Sequence, residues 1–225
     1  MAPSFHLKSR LALESAISLV VTAVLLFLPA WSLRYWQAWL FLGVVFLPMF
    51  VSAVYFYKKD PQLVERRMQT KESLGEQRRI MKVAKLIFLA SILIPGFDHH
   101  FGWSHVPLWL TILSQALVLA GYLVTFWVFD TNSFASRTIQ VESQQKVIST
   151  GPYRFVRHPM YSGGLLMLCF IPLALGSYWA VPGFLLLIPL VVLRLLHEEQ
   201  VLREQLAGYS EYCLETQQRL IPLVW

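Results

Sequence analysis

Cysteine is almost missing from this chain: Cys169 lies in an apolar run and Cys213 near the C-terminal end, so neither a disulfide framework nor a thiolate metal site can be assembled. Charge is scarce as well, at 14% of 225 residues against 56% hydrophobic, with a mean hydropathy of +0.52. No soluble domain of this length can hide so much apolar surface in one core, so lipid must cover much of it. There is no P-loop, dinucleotide fingerprint or hydrolase elbow. No internal repeat or low-complexity tract occurs, which argues against an inverted-repeat transporter and for one membrane domain spanning 1–225, with helices in 1–130 and a chemistry-bearing half in 131–225. His197, Glu198 and Glu199 are the nearest approach to a metal cluster, but adjacent helical residues point in different directions, so we expect no metal. A cleavable signal peptide is not expected either, because the first apolar stretch is long enough to span and lacks a small-residue cleavage site.

Apolar runs at about 15–33, 36–57, 83–97 and 107–129 predict four spanning helices, and two shorter runs at 161–176 and 178–196 predict a closing helical hairpin. The fold class is therefore all-α, polytopic, with five to six transmembrane helices. Lysine and arginine decide the orientation. With six spans, every one of the 19 basic residues except Arg34 falls on one side, which the positive-inside rule makes cytoplasmic, together with both termini. The net charge of +6 is then a topology signal, and no nucleic-acid partner is expected. The segment 58–82 alternates charge at helical spacing and predicts a surface helix under the anionic leaflet, or else a plain solvated connector.

The polar stretch STGPYRFVRHPMYSGG (149–164) runs directly into membrane. Gly151-Pro152 marks a turn, Pro159 suits the first turn of a helix capped near His158, and the amides there can receive an anion. Tyr161 lies three residues beyond His158, on the same side, while Gly163 and Gly164 permit close approach of a helix or ligand. The plainer reading is an interfacial belt of basic and aromatic anchors. A second polar cluster, RLLHEEQVLREQLAGYSEY (194–212), sets Arg194 and Glu198 four apart on one helical face at the same membrane depth. A simple exposed ion pair at a helix end would look the same.

GPYRFVRHPMYSG at 151–163, the pair Glu198-Glu199 and the ending GYSEYCLETQQRLIP at 208–222 resemble the isoprenylcysteine carboxyl methyltransferase family and its relatives among membrane phospholipid methyltransferases, over the half of the chain from Asn132 onward. The resemblance implies an S-adenosyl-L-methionine-dependent methyltransferase with a cytoplasmic-side site. It places Gln140, Gln145, Lys146, Val147, Ile148, Tyr153, His158, Pro159, Met160, Tyr161 and Glu198 at the cofactor. Arg194 would bind the acceptor, and Arg194, Glu198 and Tyr161 would carry the catalytic roles. The acceptor implied is a lipophilic, prenylcysteine-like carboxylate reaching the site from the bilayer, with a phospholipid or other lipid amine as the alternative. The compact N-terminal half resembles prokaryotic-type members, implying an inner-membrane location. NADPH-dependent sterol-type reductases are similar at Arg157-His-Pro-Met-Tyr161 and at Tyr209-Ser-Glu-Tyr-Cys213, and a non-enzymatic membrane scaffold is the remaining alternative.

Overall fold

A computed structural model of the chain describes residues 5–68, 75–136, 138–139, 141–142, 144–222 and 224–225. The helices are α1 (Phe5–Ala30), α2 (Trp36–Lys59), α3 (Pro61–Met68), α4 (Gly75–Phe101), α5 (Leu108–Thr131), α6 (Pro159–Ala174), α7 (Val181–Leu185), α8 (Leu187–Gln205) and α9 (Tyr209–Glu215), with a 3-10 turn at Gly151–Arg154. No strand occurs among the described residues, and the protein is an all-α integral membrane protein. Five helical stretches are long and apolar enough to span: Leu7–Ala30, Trp36–Lys59, Gln77–Phe101, Leu108–Thr131 and Val181–Gln205, the last made of α7 and α8 together.

Helix α6 has 16 residues, about 24 Å at 1.5 Å per residue, short of a hydrocarbon core of about 30 Å. It nonetheless joins the two ends of the bundle. Near its start the Ser162 hydroxyl donates to the Leu220 carbonyl at 2.6 Å, and just past its end the Leu175 carbonyl accepts from the buried Tyr35 hydroxyl at 2.5 Å. The expected five to six crossings are thus five full spans and one short one. The far end is knit by Asp98, 2% exposed, which accepts from the Ser104 amide at 2.7 Å, the Ser104 hydroxyl at 2.6 Å and the Ser177 hydroxyl. The connections that follow α1, α4 and α6 therefore meet at this end.

The predicted hairpin partner of α6 is not its main neighbour, for α6 packs chiefly along α5. The contact is backbone to backbone: a Cβ on Gly163 would lie 2.6 Å from the Gly121 carbonyl oxygen. Gly164 faces open space instead.

Segment 58–82 is not one surface helix. Lys58 and Lys59 finish α2, residues 61–68 form α3, and residues from 75 onward belong to α4, with 69–74 outside the described residues. The break at Asp60-Pro61 is local chemistry, since a residue before proline disfavours the helical region. The apolar face of α3, Leu63, Val64 and Met68, then packs against Phe56, Val128 and Ala135, and Leu7 joins that cluster, so the first helix begins well before the expected 15. The last span is interrupted at Leu186, because Pro189 has no N–H to offer the carbonyl four residues earlier at Leu185.

Candidate active site

Three separate stretches meet at the polar end of the bundle. Proline at the first position starts α6 with His158 as its cap, which aims the segment 158–161 at the space between α5, α8 and α9. Gly208, at φ +82°, turns the chain from α8 into α9 and lays Tyr209 and Tyr212 over the same space. The cavity between them holds about 820 Å³ of empty space, its open mouth included.

Its lining contains Gln145, Lys146, Val147, Ile148, Tyr153, His158, Pro159, Met160, Tyr161 and Glu198, so the structure brings ten of the sequence-predicted residues to one cavity. Gln140 lies outside the described residues. Arg194 is not in the lining. Its guanidinium donates to the Gln77 side-chain oxygen at 3.2 Å and is a hydrogen-bond partner of the Tyr161 hydroxyl. Tyr161 in turn donates to a Glu198 carboxylate oxygen at 2.5 Å.

The cavity wall is dominated by groups that hold their protons or stay neutral. Burial chiefly, aided by the cations of Arg157 and Arg219 and opposed by Glu199, pushes His158 down to about 4, so it is a neutral imidazole at physiological pH. Its Nε2 lies 3.4 Å from the Tyr209 hydroxyl. Burial raises Tyr153 and Tyr209 and pushes Tyr212 up to about 12, leaving three protonated phenols. Tyr153 accepts from the Asn132 amide at 2.8 Å, and its carbonyl receives the Tyr212 hydroxyl at 2.7 Å.

Glu199, 3% exposed, faces away from Glu198's cavity and pairs with Arg157 and Arg219 at 2.8 Å each. Backbone bonds from Arg157 to Gln218 (2.9 Å) and from His158 to Arg219 (3.0 Å) complete the attachment of the C-terminal segment to the start of α6. Elsewhere in the wall, α3 straps the chain after α5 at Ser133, Ser136 and Glu142. Arg66 makes a two-pronged pair with Glu142 at 2.7 and 2.8 Å and donates to the Ser133 carbonyl at 2.9 Å, while Arg67 donates to the Ser136 carbonyl at 3.1 Å.

A second cavity, with about 980 Å³ of empty space when its open side is included, lies among α1, α2, α4, α6 and α8, walled almost wholly by apolar side chains such as Leu25, Phe46, Ile92 and Met167. Met160 and Tyr161 line both cavities. Along α8, Val191 faces the apolar cavity and Glu198 the polar one, and Arg194 sits between them on the same face. The arrangement sets a polar chamber end to end with a greasy one, with a phenol, a carboxylate and a guanidinium at the junction.

Sequence reasoning missed Asn132, Tyr209, Tyr212, Leu202 and Leu206, all of which line the polar cavity. For the two tyrosines a signal existed, the segment 208–222, to which no individual role was attached. For Asn132 and the leucines there was none.

Residues 109–208 match the phospholipid methyltransferase family, which belongs to the same superfamily as the isoprenylcysteine carboxyl methyltransferases, so the resemblance read from the sequence is borne out. No curated protein matches the chain. The family indicates a membrane methyltransferase, with S-adenosylmethionine as methyl donor. The match ends at Gly208, ahead of the pocket tyrosines Tyr209 and Tyr212, and begins beyond α1 to α4.

Proposed function

With a membrane methyltransferase as the premise, we propose that the polar cavity binds S-adenosylmethionine, that the apolar cavity takes the hydrocarbon part of a lipophilic acceptor, and that the acceptor is a prenylcysteine-like carboxylate held by Arg194. The observation that carries this reading is the sharing of Tyr161 and Met160 by the two cavities, which sets a polar chamber directly against an apolar one.

The side chains present suit the donor. Glu198 offers the only carboxylate in the lining among the described residues for an ammonium or ribose hydroxyls, and Val147, Ile148, Leu202 and Leu206 offer an apolar face for a purine. The start of α6 presents backbone amides to an amino-acid carboxylate. Bound there, S-adenosylmethionine supplies an electrophilic methyl group on a sulfonium. The chain's own task is then placement. Arg194, with a planar fork of donors, holds a carboxylate at the junction, and no general base is needed because a carboxylate is already nucleophilic. Tyr161, anchored by Glu198, sets the wall between acceptor and cofactor, and the apolar lining keeps water out.

The family's own description, phospholipid methyltransferase, favours a second reading, in which the acceptor is a phospholipid and the methyl goes to an amine of its headgroup. A neutral amine attacks the methyl and becomes an ammonium, and the Glu198 carboxylate, already accepting from Tyr161, is the acceptor for the proton it then loses. Calorimetric titration of detergent-purified protein with S-adenosylhomocysteine, against NADPH, tests the shared premise. Saturable binding of the former, lost in Glu198→Ala, supports it; NADPH binding alone points to a reductase, and binding of neither in folded protein to a non-enzymatic role. A blocked-amine S-farnesylcysteine and a phosphatidylethanolamine, offered with labelled methyl donor, then separate the two acceptors.

A further inference from the structure

We propose that Gln77, on α4, is a positioning residue for the acceptor: its buried side-chain amide orients the Arg194 guanidinium and fixes the tautomer of His197. The inference rests on Arg194 as the acceptor's partner. Gln77 lies outside the family-matched segment and is 1% exposed. It touches two residues of α8 at once, with its oxygen 3.2 Å from an Arg194 Nη and its nitrogen 2.5 Å from His197 Nδ1.

The chemistry of these three groups leaves one consistent assignment. Arginine has donors and no acceptor, so the amide oxygen must face it. The amide NH2 therefore faces the imidazole, and His197 Nδ1 must carry a lone pair, with the ring proton on Nε2. A protonated His197, or the other neutral tautomer, would set N–H against N–H and turn the amide away from Arg194.

The consequence falls on the junction between the cavities. Arginine's long stem has many rotamers, and a guanidinium free to sample them must be ordered at the expense of binding each time an acceptor arrives. With one Nη held by Gln77 and the fork reaching the Tyr161 hydroxyl, its orientation is set before the acceptor comes. Gln77 lines neither cavity, so its contribution passes through Arg194.

Gln77→Leu and the near-isosteric Gln77→Met are compared with wild type for S-adenosylhomocysteine affinity and for KM and kcat toward blocked-amine S-farnesylcysteine. The expected result is an acceptor KM raised about tenfold, the scale of losing a hydrogen bond to a charged group, with cofactor affinity unchanged. On an Arg194→Met background the Gln77 substitution should add nothing. An unchanged KM, a parallel loss of cofactor affinity, or additive effects in the double variant would overturn the proposal. Independently of any acceptor, 15N NMR of histidine-labelled wild-type protein, with His197→Ala for assignment, should find His197 protonated at Nε2, and a proton on Nδ1 would sink the idea. Should wild-type protein fail to bind S-adenosylhomocysteine, the methyltransferase reading falls while the NMR result still decides the Gln77–His197 contact.

Discussion

Glu198 and Glu199 are neighbours in the chain with opposite surroundings, because successive helical residues point about 100° apart. One faces the polar cavity, and the other is buried between two arginines. Their substitutions should separate accordingly. Glu198→Gln should weaken S-adenosylhomocysteine binding in calorimetry while leaving the thermal midpoint in detergent near wild type. Glu199→Gln should lower that midpoint, since breaking a buried ion pair costs about 3–5 kcal/mol by stranding the remaining charge. His158 gives a pH signature. Its folded value, about 4, lies below its ordinary 6.5, so the unfolded chain takes the proton first and stability falls as pH drops from 6.5 toward 4. A thermal-midpoint series over that window should fall less steeply in His158→Asn than in wild type.

At the scale of elements, two contacts decide whether the site has walls. The α5–α6 crossing is closed by Gly121 and Gly163, where a methyl group would strike a carbonyl oxygen that belongs to backbone and cannot move aside. Gly163→Ala should therefore cost about 1–3 kcal/mol, the range for overpacking, read as a lowered thermal midpoint. Gly164→Ala, facing open space, should leave it unchanged. The other wall is the strap from α3. Here Arg66 is raised and Glu142 lowered, each chiefly by their shared hydrogen bonds. Arg66→Ala and Glu142→Ala should each weaken S-adenosylhomocysteine binding by loosening the hold on Ser133 and Glu142, which flank the lining residues Phe134 and Ala135, and the exchange Arg66→Glu with Glu142→Arg should recover part of it. Equal affinity in all four proteins would mean that the strap leaves the cavity untouched.

Over the whole molecule, the six traverses bring the start of α1 and the segment after α8 to the same end as the polar cavity, where Leu7 meets Phe56 and Ser162 meets Leu220. We expect that end to be cytoplasmic, since 18 of the 19 basic residues fall on the side assigned to it from sequence. Exposed positions at the two ends give the check: in whole cells an impermeant maleimide should modify His105→Cys directly, and Glu215→Cys only after the membrane is opened. The reverse pattern would invert the orientation.

The membrane class, the crossings and ten of the residues lining the polar cavity were legible because each depends on short-range patterns: apolar run length, proline and glycine positions, and contiguous motifs such as the one from 151 to 163. Helix boundaries were less so where packing extended an element, as Leu7 does for α1. Everything that depends on which faces meet was decided by the tertiary structure alone. The partition of Glu198 from Glu199, the choice of α5 rather than α8 as chief neighbour of α6, the strap of Arg66 on Glu142 and the reach of Gln77 to Arg194 join residues up to 117 positions apart. A one-dimensional pattern carries no distance between such residues, because their meeting is set by how six helices pack around two cavities and not by anything either neighbourhood contains.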